Sequence, residues 1–103
     1  MIKLTVLYGH PADPAAFEDY YANTHTPIAL KMTGYSRFEV TKFLSAPDGG
    51  PAAYHRMAEF WFETPGAMQA TMSSPEGQAA AADIPNFATG GATLMVGAAE
   101  ELK

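Results

Sequence analysis

The segment from Tyr54 to Glu63 constrains the fold more than any other, because it reads as a strand with large apolar side chains on both faces. Alternation puts Tyr54, Arg56, Ala58, Phe60 and Phe62 on one side and His55, Met57, Glu59, Trp61 and Glu63 on the other. Such a strand needs cover above and below. A chain of 103 residues has room for one domain, residues 1–103, with one core, so its own helices can supply only one covering layer. Met57 and Trp61 then argue that a partner supplies the other.

Three cap-and-proline pairs provide the helical layer. Asp13-Pro14, Thr64-Pro65 and Ser74-Pro75 each join a side chain that accepts from free helix N–H groups to a proline whose missing N–H costs nothing in the first turn. The spacing predicts a helix from Pro14 with Phe17, Tyr20, Tyr21, Thr24, His25 and Ile28 on one face, and short helices over Pro65 to Met72 and Pro75 to Ala82. Pro27 interrupts the first. Its ring clashes with the carbonyl four residues back, which predicts a kink, or a stop near Asn23 and a restart at Thr26-Pro27, with His25 at the joint. Gly34 is read as the left-handed cap closing this stretch.

Further strands are predicted from Ile2 to Tyr8, Tyr35 to Leu44 and Thr89 to Ala98, with a turn-rich loop from Ser45 to Ala53 and a connector from Asp83 to Phe87. The order β-α-β-β-α-β defines an α+β, ferredoxin-like pattern: an antiparallel four-stranded sheet with helices on one face. The other face is left to water or a partner, and a homodimer through the sheet face is the economical solution.

Composition narrows the function classes. At 48% hydrophobic and 17% charged, the chain is not a solvating tail. Six basic against 11 acidic residues give a net charge of -5 without a basic stripe, which argues against nucleic acid and anionic membrane surfaces. With no cysteine there is no disulfide framework, thiol nucleophile or cysteine-held metal. No apolar run approaches the ~20 residues of a membrane span, and a cytoplasmic protein is expected.

Among candidate chemical groups, His25 stands out. An imidazole in an apolar setting can serve as a general base or donate to a substrate oxygen, yet a lone histidine without an orienting acid is more often a satisfied core residue. His10 reads as a loop residue, and His55 as exposed or at the partner face. Glu59 is expected to pair with Arg37 or Arg56. The three histidines lack metal-ligand spacing, and Gly49-Gly50 and Gly90-Gly91 form no nucleotide-binding fingerprint, so neither metal nor cofactor is expected. Many alanines facing large aromatics predict an apolar pocket for a small hydrophobic ligand.

The stretch Leu7-Tyr8-Gly9-His10-Pro11-Ala12-Asp13-Pro14, continuing through Phe17-Glu18-Asp19-Tyr20-Tyr21 and Thr24-His25-Thr26-Pro27-Ile28-Ala29, resembles the EthD family, named for ethyl tert-butyl ether degradation. Ala58-Glu59-Phe60-Trp61-Phe62, Ser74-Pro75-Glu76-Gly77 and Phe87-Ala88-Thr89-Gly90-Gly91 extend the likeness over nearly the whole chain. The resemblance implies a dimeric α+β barrel, in which two ferredoxin-like protomers pack their sheets together. It also implies oxidoreductase-type chemistry linked to ether degradation, or the dehydratase and cyclase chemistry of fungal relatives. The family's His-x-Pro motif falls on His25 and Pro27, which implies a functional His25. Where many relatives read Met-Pro-Gly, this chain has Met32-Thr33-Gly34.

Two functions follow. One is a small cofactor-independent enzyme, oxidoreductase in type, with His25 as acid and base, Tyr8 or Tyr21 holding the substrate oxygen, and Phe38, Phe60 and Trp61 shaping an apolar site. The other is a non-catalytic carrier of an apolar metabolite for a partner oxygenase. Haem held by His25 is a third and weaker possibility.

Overall fold

Four strands, β1 (Ile2–Tyr8), β2 (Arg37–Lys42), β3 (Arg56–Phe62) and β4 (Ala92–Ala98), form one antiparallel sheet in the order β2-β3-β1-β4. The computed structural model describes residues 1–103. One layer of helices, α1 (Pro14–Tyr20), α2 (Thr26–Ala29), α3 (Pro65–Ser73) and α4 (Pro75–Asp83), packs on one face of the sheet. The molecule is a slab of 38 × 35 × 18 Å. Its smallest dimension accommodates one sheet and one helical layer and nothing more. No helix is long and apolar enough to cross a membrane.

The expected caps are present. Asp13 Oδ1, Thr64 Oγ1 and Ser74 Oγ accept from the N–H groups of Ala16, Ala67 and Gly77, each at 3.1 Å. Each such cap contributes about 1 kcal/mol. Gly34, at φ +92°, supplies the left-handed turn after α2. Gly9 and Gly90 serve another purpose. Their backbones cross so closely at the end of β1 that a Cβ on Gly90 would lie 2.2 Å from the His10 carbonyl oxygen.

The joint before Pro27 is a π-helical turn, Tyr21–His25, rather than a sharp kink or a break. Pro27 has no N–H to return to the Asn23 carbonyl, and its ring crowds that carbonyl. The chain widens by one residue instead, and the Thr26 N–H reaches back to the Tyr21 carbonyl. Helix continues on either side, with His25 the last residue of the wide turn.

The sheet register fixes which residues meet. On the helical side, Phe38, Phe60, Leu4 and Val96 form one cross-strand row, and Val40, Ala58, Val6 and Leu94 the next. Leu4, Phe60 and Phe62 pack with Ala29, Met32 and Ala80, while Val6, Tyr8 and Ala58 pack with Phe17, Tyr21 and Phe87. The helix-free side carries Arg37, Trp61 and Lys3 in one row and Thr41, Met57, Leu7 and Thr93 in another.

Several expectations are corrected. The strands are shorter than their sequence patterns, because the Ala92–Ala98 ladder starts only after Gly91, at φ +90°, and the β3 ladder only after His55. His55 is buried, not exposed at a partner face. It precedes the regular alternation, stacks edge-on against Phe17 at 4.8 Å and bonds Glu18. Glu59 pairs with Lys3 at 3.0 Å rather than with an arginine, since Arg37 is taken by Glu39 and Arg56 by Glu18.

Candidate functional site

The π turn places Tyr21 and His25 above the β1–β3 part of the sheet, where they join Tyr8, Phe17 and Phe87 in an aromatic cluster. His25 stacks on Tyr21 at 5.5 Å between ring centroids and meets Phe87 at 4.5 Å. Edge and offset contacts of this kind fix ring orientation as well as burying area.

One residue that sequence reasoning missed completes the site. Asp83, the last residue of α4, is buried, and its Oδ2 lies 2.9 Å from His25 Nδ1. Its Oδ1 accepts from the Tyr20 hydroxyl at 2.6 Å and from Asn86 Nδ2 at 3.0 Å. Burial works against the charge on Asp83, but the hydrogen bonds from Tyr20, Asn86 and His25 together outweigh it and hold the carboxyl below its ordinary value. An ionised carboxylate only accepts, so the ring proton of neutral His25 sits on Nδ1. Nε2 is left with its lone pair and no hydrogen bond to protein.

Beside His25 lies a cavity of about 30 Å³ between helices and sheet. That is room for a water or two, against the ~150 Å³ that takes up benzene. Fourteen of its 16 lining residues are hydrophobic, the polar atoms on its wall come from His25, Thr26 and the hydroxyl-bearing Tyr8 and Tyr21, and no carboxylate, lysine or arginine lines it. Burial, with the neighbouring Tyr21 and the charge of Asp83, pushes the Tyr8 hydroxyl well above the ordinary phenol range. Burial likewise pushes Tyr21 up to about 12 against the pull of Arg56. Both phenols stay protonated at neutral pH.

Of the residues singled out from sequence, His25, Tyr8, Tyr21, Phe38 and Phe60 all line this cavity. Trp61 does not. It follows Phe60 directly in β3 and points to the helix-free face, where the Arg37 guanidinium lies 5.0 Å from its ring. A clue to Asp83 was present, since a carboxylate at a helix C-terminus opposes the macrodipole and calls for a compensating donor.

A charged network flanks the cluster. Glu18 takes both Arg56 Nε and Nη2 at 2.9 Å, His55 Nε2 at 3.1 Å and Lys42 Nζ at 3.5 Å. The Arg56 bond above all, with that of His55, lowers the Glu18 carboxyl to about 2 despite some burial. Arg56 also lies 4.9 Å from the Tyr21 ring, fixing that residue from outside. His10 is exposed and its Nε2 bonds the Ala52 carbonyl at 2.6 Å. No three histidine, aspartate or glutamate side chains are grouped to hold a metal ion.

Sheet order, a single helical layer and an inter-layer cavity carrying His25 define a small ferredoxin-like α+β domain with a candidate ligand site. The family model of the EthD domain matches residues 9–91, and the chain belongs to the EthD family. It is 41% identical over 95 residues, 92% of this chain and 91% of the relative, to an uncharacterized 11.0 kDa protein in the thcB–thcC intergenic region of Rhodococcus erythropolis. The crystal structure of an EthD family protein from Bacillus halodurans superposes with a TM-score of 0.90 at 34% identity, covering 97% of this chain and 99% of that one. An EthD-like protein from Ralstonia eutropha superposes at 0.69 with 25% identity, covering 93% and 88%.

Proposed function

We propose that this chain is a small enzyme, oxidoreductase in type and without a resident cofactor, that acts on a neutral hydrophobic carbonyl or phenolic metabolite. The observation that carries the reading is the bond from His25 Nδ1 to the buried Asp83, which leaves Nε2 unpaired beside an apolar cavity. Nε2 accepts a proton from the substrate, and Asp83 stabilises the imidazolium that forms. Tyr8 and Tyr21, both protonated, donate to the substrate oxygen as negative charge grows there. Phe38 and Phe60 exclude water. The resulting enolate or phenolate is electron-rich, which is the activation that direct reaction with dioxygen requires. Because the cavity is small, ligand entry needs outward movement of lining side chains, for which the flexible Met32 and Met72 are suited.

A cytoplasmic homodimer is part of this reading. Trp61, Met57 and Leu7 on the helix-free face are the apolar surface that a second copy would cover.

The test is a thermal-shift screen of wild type and His25→Ala against phenols, quinones, aromatic polyketide mimics and haem, followed by oxygen-uptake assays on the hits. Hits that His25→Ala abolishes, with oxygen uptake by wild type alone, are the expected result. Saturable binding without turnover assigns the carrier role instead, and hits that persist equally in His25→Ala make the histidine structural.

A further inference from the structure

The helical layer stops short of β4. Leu94 and Val96 share the helical side of the sheet with Val6 and Leu4, yet they are 47% and 58% exposed. Between this bare strand and the end of α4 runs an apolar groove of about 330 Å³, walled by Ala81, Ile84, Pro85, Ala88, Ala92 and Leu94. Ala81, Ile84 and Leu94 also line the cavity beside His25. Groove and cavity are thus adjoining spaces sharing a wall of three residues. The smaller has room for little more than a polar head, and the larger has the volume of a ligand site. No charged side chain lines either.

We infer that the substrate is an elongated neutral molecule, with its oxygen-bearing end in the His25 cavity and its apolar body along the groove beside β4, where Leu94 and Ile84 set the length and width accepted. The inference rests on the proposed role of His25 for the head of the molecule, while the groove is an independent observation. Size and polarity select this occupant. A body carrying charge would lose its hydration in the groove without compensation, and a compact ligand would leave the groove unfilled.

The experiment measures binding of linear methyl ketones, from butanone up to a decyl chain, by ligand-observed NMR to wild type, Leu94→Trp, Leu94→Ala and His25→Ala. In wild type the dissociation constant should fall about fourfold per added methylene until the groove is full. Leu94→Trp, at an exposed position, should abolish that dependence, and Leu94→Ala should shift the optimum to bulkier chains. His25→Ala should weaken every ketone by a similar factor and keep the slope; an unchanged series there removes the histidine reading and leaves the groove standing. The inference is overturned if Leu94→Trp keeps the full chain-length slope or if wild type shows none. It is also overturned if Leu94→Trp changes only the sedimenting mass, which would make the bare strand a contact between two copies of this chain.

Discussion

Asp83 Oδ2 lies 2.9 Å from His25 Nδ1, joining the end of α4 to the end of the π turn across 58 residues of sequence. The bond converts a lone histidine into an oriented one. Its acceptor is held ionised by Tyr20 and Asn86, so the carboxylate fixes the ring through Nδ1 and leaves Nε2 without a protein partner.

Asp83→Asn should therefore uncouple folding from chemistry. With the carboxylate gone, the preference for a proton on Nδ1 is lost, and turnover should fall by about 100- to 10,000-fold. The stability cost should be about 1–3 kcal/mol. Nitrogen-15 NMR of the His25 ring reads the tautomer directly, and wild type should show a protonated Nδ1 with an unprotonated Nε2.

Acid stability should report on Glu18. Its folded value of about 2 is below the ordinary 4.5, so the ionised form favours the folded state. That contribution is complete above about pH 5 and is lost as pH falls through 4.5 towards about 2, and the lowered Asp83 acts in the same direction. Glu18→Gln should lower Tm at about pH 7 and have much less effect at about pH 3. Calorimetry at the two pH values checks the sign.

Pro27→Ala restores an N–H that can bond the Asn23 carbonyl, and the wide turn should then tighten to ordinary α-helix. Residue 25 would rotate off Asp83. Turnover should drop by at least about tenfold, Tm should fall by the few degrees that a broken buried pair of about 1–3 kcal/mol implies, and the His25 ring signals should lose their tautomer preference.

Much of the fold is legible in the amino-acid sequence. Prolines paired with Asp13, Thr64 and Ser74 mark helix starts through local geometry alone, and Gly34 marks a helix end for the same reason. His25 at the joint before Pro27 was equally readable. Asp83 was not, because its partner is distant in sequence and its segment read as a connector. The burial of His55 escaped for a related reason: strand alternation assigns a face only within a regular ladder, and His55 lies just before one. Alternation along β3 sets Trp61 on the partner-facing side, as observed, and that same alternation excludes it from the pocket, because its neighbour Phe60 takes the inward position.

The helix-free face makes a separate prediction. Trp61→Glu should leave the protomer folded, within about 1 kcal/mol of wild type, because the side chain is absent from the core. It should dissociate the proposed homodimer. Sedimentation velocity of both proteins at matched concentration checks this.

Gly90→Ala should be costly for its size. The new methyl would meet the His10 carbonyl at a separation no contact tolerates, so β1 and β4 must part. A loss of about 3 kcal/mol, or a Tm lower by more than ~10 °C, is expected on thermal unfolding.

The wide turn at Tyr21–His25 gives this chain an unusual genetic fragility. The turn accommodates one residue more than an α-helix would over the same span. A deletion of one codon anywhere within it would be absorbed by regular helix, leaving sheet, core and both flanking helices in place while the side chains within the turn itself change direction. Drift in this lineage can therefore silence the site through length alone, with His25, Asp83 and Tyr21 all still encoded.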